Sequence, residues 1–122
     1  MKLTKVVVKR SKWLRGNPVR SVLLNESGRM CCLGFAGLKA GLSKADIWGL
    51  GAPSEVSAEA AGILQHSTMR GLCRADFNFS VNTRTCNALM KTNDKPNVPL
   101  PTRESKLREL GKKVGIRFTF VP

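Results

Sequence analysis

Tyrosine is missing from this chain of 122 residues, and acid is scarce: eight Asp and Glu stand against 21 Lys and Arg. Five Phe and two Trp are all the aromatic residues present, so few rings are offered as stacking platforms. No apolar run approaches the roughly 20 residues needed to cross a bilayer. The N-terminal stretch is basic but holds only Val6, Val7 and Val8 in succession, without the apolar region and cleavage site of a signal peptide. The expected location is therefore the cytoplasm, where Cys31, Cys32, Cys73 and Cys86 would be reduced.

Chemistry-bearing patterns are equally thin. Structural zinc sites favour short paired spacings such as Cys-x2-Cys. Here Cys31 and Cys32 are adjacent, while Cys73 and Cys86 stand apart. Adjacent side chains on a helix point in different directions, so the thiols read as small buried hydrophobes rather than metal ligands. His66 is the sole histidine and so the one conventional base for a cysteine nucleophile. It lies between Gln65 and Ser67 at an expected helix end, where it can simply cap carbonyls. The glycine-rich stretch from Gly34 to Gly41 has neither a following Gly-Lys-Ser/Thr nor a GxGxxG pattern. No catalytic residue, metal or cofactor is expected, and the chain reads as a binding protein rather than an enzyme.

What is present in excess is positive charge, +13 in all. Residues 1–20 carry seven basic residues and no acid, and residues 66–122 carry eleven basic against four acidic, whereas residues 21–65 are nearly neutral. Solubility alone asks for a net charge of roughly 2–8 in magnitude. The surplus points to an anionic partner. Two clusters carry it. Lys5, Lys9, Arg10, Lys12, Arg15 and Arg20 surround Trp13. Arg103, Lys106, Arg108, Lys112, Lys113 and Arg117 lie near the C-terminus, with Arg108 and Lys112 away from the apolar stripe of a helix. Trp13 either stacks on a base beside those cations or, the preferred reading, anchors its segment to the core. The candidate partner-binding residues are Lys9, Arg10, Lys12, Trp13, Arg15, Arg20, Arg108 and Lys112.

Periodicity and stop signals suggest one α+β domain over residues 1–122. Residues 3–9 read as a strand from their β-branched content, and residues 116–120 alternate as a half-buried strand. Residues 30–42 form a helix with Cys31, Phe35, Leu38 and Leu42 as its stripe; Leu33 and Phe35 are expected in the core, and Gly41 is the stop. The glycines inside this helix cost about 1 kcal/mol each relative to alanine, so close backbone packing should offset them. Ser43 and Ser57 are placed to cap further helices. Residues 77–81 alternate like a strand, residues 84–90 suit a helical turn or two, and Thr102 can cap a helix over 103–114. That helix would carry Glu104–Arg108 and Glu109–Lys113 pairs. The expected architecture is a small antiparallel sheet, including the N- and C-terminal strands, packed against two or three helices.

The runs Trp13-Leu14-Arg15-Gly16, Ser21-Val22-Leu23-Leu24 and Gly28-Arg29-Met30-Cys31-Cys32-Leu33-Gly34-Phe35 resemble small accessory proteins of tailed bacteriophages and prophages. Met-Cys-Cys-Leu-Gly is the most specific element, and Asn93-Asp94 before a charged helix and final strand matches the same pattern. Residues 43–85 and the high charge depart from it. The resemblance implies a phage gene product in a bacterial host cell and supplies no site residues. Such proteins often disable a host machine by occupying a surface. The expected partner is thus a host protein or protein–nucleic-acid complex, for example a nuclease, a CRISPR complex or another defence system. The alternative is direct binding of DNA or RNA in phage replication, recombination or regulation.

Overall fold

A computed structural model describes residues 3–16, 21–65 and 79–122. Strand β1 (Thr4–Lys9) opens the order and runs into a 3-10 turn (Arg10–Lys12). Helices α1 (Cys32–Ala40), α2 (Lys44–Ile47), α3 (Ala58–Gln65), α4 (Phe79–Asn93) and α5 (Leu100–Lys112) follow, and strand β2 (Ile116–Val121) closes it. The α+β class and the pairing of the terminal strands agree with the sequence. The orientation does not: β1 and β2 are parallel, with Thr4 opposite Ile116 and Lys9 opposite Val121. Alternation of apolar and polar residues reads the same in either direction and cannot specify orientation. What specifies it is α5, which returns the chain to the Thr4 end of β1, where the Thr4 amide donates to the Gly115 carbonyl (2.9 Å). Parallel strands need such a long crossover.

One face of this two-stranded sheet is core. Val6, Val8, Ile116 and Phe118 are buried there, with Leu107 and Leu110 of α5 and Val114 of the turn after it also buried in the core. Lys5, Val7, Lys9 and Arg117 point the other way and are exposed. Gly111 lets α5 come this close, because a Cβ there would stand 2.8 Å from the Phe118 ring.

Helix α1 is buried more completely than one stripe allows. Cys32, Leu33 and Ala36 are fully buried, as Leu33 was expected to be, whereas Phe35 and Leu38 are half-buried and only edge the core. Gly41 ends the helix with a φ of 111°, in the left-handed region that favours glycine. Gly34 meets the backbone of the segment before the helix: a Cβ would overlap the Leu23 carbonyl oxygen and lie 2.9 Å from the Met30 Cβ. The glycine in mid-helix thus has the packing reason its cost demanded.

Ser43 caps α2 in a reciprocal box with Asp46, and the Ser57 hydroxyl accepts from the Ala60 amide at the start of α3 (3.2 Å). Two expectations fail. Residues 79–81 open α4 rather than a strand (Phe77 and Asn78 lie outside the described residues). A five-residue alternation was outweighed by the longer stripe of Thr85, Cys86, Leu89, Met90 and Asn93, all buried at helical spacing. Helix α5 begins earlier than Thr102, after Pro99, with Pro101 in its first turn, where proline's missing N–H costs nothing.

These contacts make opposite predictions for two helical glycines. Gly34→Ala should lower unfolding stability by more than about 3 kcal/mol in urea melts, since neither the carbonyl nor the Met30 stem can move far. Gly62→Ala in α3, where a Cβ meets nothing within 4 Å, should raise stability by about 0.5–1 kcal/mol.

Candidate anion-binding groove

The basic N-terminal segment is fixed by a single buried carboxamide. Asn93, at the end of α4, is fully buried. Its Oδ1 accepts from Trp13 Nε1 (2.7 Å) and from the Cys32 amide (3.0 Å). Its Nδ2 donates to the Leu14 carbonyl (2.9 Å) and to Asp94 Oδ1 (2.8 Å). The other oxygen of Asp94 accepts from the Ser21 amide (2.9 Å). Arg103, buried at the start of α5, closes the connection by donating to the Asn93 carbonyl (3.2 Å) and to the carbonyls of Val98 (3.1 Å) and Lys95. Most buried polar groups in folded proteins are partnered in this way, although the Nε of Arg103 has no partner among the described residues.

Trp13 is 1% exposed, so it anchors its segment to the core and presents no face to a base. Its ring lies 5.0 Å from that of Phe120. Arginines cover both rings, Arg15 above Trp13 at 5.7 Å and Arg108 above Phe120 at 6.0 Å. Stacking of this kind holds a guanidinium in place while leaving its in-plane donors available.

Arg10 joins the two ends of the chain. Its Nε and one terminal nitrogen donate to the two oxygens of Glu104, each at 2.8 Å. The expected Glu104–Arg108 helix pair is thereby replaced by a contact across 94 positions of sequence. The hydrogen bond from Arg10 holds the Glu104 carboxyl below the usual range against its own burial, and the charges of Arg10, Arg108 and Arg15 act in the same direction. Glu109 lies 3.7 Å from Lys106 rather than pairing with Lys113, an exposed contact of the kind worth little.

Beside this cluster a groove of about 700 Å³ runs between α5 and the sheet. Lys5, Arg108, Lys112 and Arg117 line it, with Glu109 as the acid among them and Phe118 at its floor. Local rules place these four cations together. Lys5 and Arg117 are opposite one another in the strand register, and both alternate with buried residues. Arg108 and Lys112 are one helical turn apart, off the buried stripe. Both placements oppose like charges, which destabilises a helix pair by a few tenths of a kcal/mol and repels across strands as well.

Of the residues singled out from sequence, Arg108 and Lys112 line the groove, while Arg10 and Arg15 converge on Glu104. Lys9 and Lys12 are exposed on the strand and the 3-10 turn. Trp13 lies beneath the surface, and Arg20 falls outside the described residues. Lys5 and Arg117 belong to the two basic clusters but were not among the candidate contacts, and Glu104 was read only as a helix-pair partner. The first two were legible as the outward positions of their strands.

Cys31, Cys32 and Cys86 are buried and free, while Cys73 and His66 lie outside the described residues. Burial pushes the thiols of Cys31 and Cys86 up to about 12 and that of Cys32 well above its ordinary value. Thiols this protonated are poor nucleophiles. Among the described residues no cluster of three or more His, Cys, Asp or Glu is placed to hold a metal ion, and no helix is long and apolar enough to cross a membrane.

Comparisons with protein-family models, with curated proteins and with solved structures each found no match.

Two measurements check this description. A carboxyl with a lowered folded pKa contributes stability above its unfolded pKa and loses it as pH falls through the folded one. Glu104→Gln should therefore melt below the wild type at pH 7, and the gap should close on acidification below the ordinary glutamate range. In native protein at pH 8, Cys31, Cys32 and Cys86 should resist iodoacetamide, with peptide mass spectrometry showing alkylation only after denaturation.

Proposed function

We propose that this chain is a phage-type accessory protein that binds an acidic face of a host protein machine, such as a nuclease, a CRISPR complex or another defence assembly, and modulates or inhibits it. One observation carries the reading: four cations from β1, α5 and β2 meet around one groove in two like-charge placements that the fold itself does not need. Such a cost is repaid when an anionic partner is seated there. The exposed Lys9 and Lys12 extend the same positive field.

A protein partner is favoured over nucleic acid by three features. Glu109 stands in the groove lining, where it would oppose a phosphate backbone. Trp13 is turned inward, and the exposed Trp48, at 55%, belongs to the end of α2 and not to the groove. Val7, 42% exposed between Lys5 and Lys9, adds an apolar contact of the kind protein interfaces use.

The test is capture from a bacterial lysate, with and without nuclease. Wild-type protein should retain a protein partner after nuclease treatment. Lys5→Glu, Lys112→Glu and Arg117→Glu together should reduce capture by at least about tenfold, equivalent to 1.4 kcal/mol, with the circular dichroism unchanged. Lys39→Glu with Lys91→Glu, both exposed and outside the groove, should leave capture intact. Equal losses from both variants would show that bulk charge and not the groove is responsible. Loss of all capture on nuclease treatment, with a steep salt dependence, would support direct binding of DNA or RNA instead.

A further inference from the structure

We propose that β1 accepts an extended acidic segment as a third strand; this rests on the acidic-partner reading and names how such a partner is held. The ladder geometry carries the argument. Successive residues of a strand send their N–H and C=O groups to opposite edges. The Thr4 amide donates to Gly115, so Thr4, Val6 and Val8 face β2. The N–H and C=O of Lys5 and Val7, and the N–H of Lys9, therefore face the other edge. Among the described residues no backbone hydrogen bond outside the β1–β2 ladder engages Lys5 or Val7, and the sheet has two strands. Lys5, Val7 and Lys9 are all exposed.

An open edge invites any strand, and the side chains decide which one. A second copy pairing antiparallel about Val7 would set Lys5 of each copy against Lys9 of the other, the arrangement by which edge lysines prevent self-association. An acidic strand reverses the sign of both contacts. Residues two apart on a strand share a face. The segment that fits has an acidic residue, an apolar residue and a second acidic residue at every other position. The acids lie beside Lys5 and Lys9, and the apolar side chain lies on Val7. Main-chain bonds along the edge supply affinity and the alternate side chains supply selectivity, as in strand addition generally.

The test uses the full chain and the acetylated, amidated peptide Thr-Glu-Thr-Val-Thr-Glu-Thr, followed by backbone NMR and amide exchange at low salt. Exchange at Lys5, Val7 and Lys9 should slow at saturating peptide. Methylating alternate peptide nitrogens, which keeps the charge and removes the bonds, should weaken binding by at least about tenfold. Val7→Pro removes an edge N–H that the ladder does not use, a position where proline is tolerated, and should abolish binding with the β1–β2 ladder intact. Undiminished binding of the methylated peptide would overturn strand addition and serves as the check if Val7→Pro does not fold. A Val7-dependent dimer in sedimentation would overturn it in favour of self-pairing. Failure of the peptide to bind, while the groove reversals still release a nuclease-resistant lysate partner, would overturn the strand mode alone. Loss of that lysate effect would instead overturn the reading beneath it.

Discussion

Asn93 is the constraint on which the arrangement depends. A buried carboxamide has two donors and two acceptor sites, and each side must find partners or cost about 1–3 kcal/mol. Here the partners come from the Trp13 indole, the Leu14 carbonyl and the start of α1, while the Asn93 carbonyl is taken by Arg103 of α5. Satisfying one side chain thus fixes the exit from β1 relative to three helices. Arg10 and Arg15 inherit their positions from that clamp, one stretched to Glu104 and the other laid over Trp13. The surface cations are set by a neutral residue that never reaches solvent.

This organisation explains why the candidate surface was half visible in the sequence. The strands, the capping serines and the Gly41 stop follow from local rules and could be read directly. So could the outward placement of Lys5 and Arg117, once Val6, Val8, Ile116 and Phe118 were recognised as inward. The parallel orientation could not, because it depends on where α5 delivers the chain. Nor could the Arg10–Glu104 pair, whose members are joined only in three dimensions; the helical i,i+4 rule proposed a nearer partner. Helix α4 was obscured because two of its buried positions are Thr85 and Asn93, which break the apolar stripe that a periodicity reading seeks.

Charge on this molecule is partly paired within the fold and partly gathered at the groove. Glu104 is neutralised by Arg10, while Arg15 and Arg108 rest on the faces of Trp13 and Phe120. The groove cations have only Glu109 among them. A phage-type binder of an acidic host surface would need rigid cations held in advance, since ordering flexible side chains on contact costs about 0.5–1.5 kcal/mol each. Stacked arginines and strand-borne lysines meet that need better than a disordered basic tail.

The pairing of the first strand with the last also sets an order of events in synthesis. Thr4 and Ile116 are neighbours in space, yet the ribosome makes β1 long before β2 exists. Until α5 and β2 emerge, Val6, Val7 and Val8 form a sticky β-prone run with nothing to pair with. Lys5 and Lys9, immediately on either side, act as gatekeepers against aggregation during that wait. Closing a loop of this length slows folding far more than it weakens the folded state. Two lysines that shape the finished surface would thus already be protecting the nascent chain.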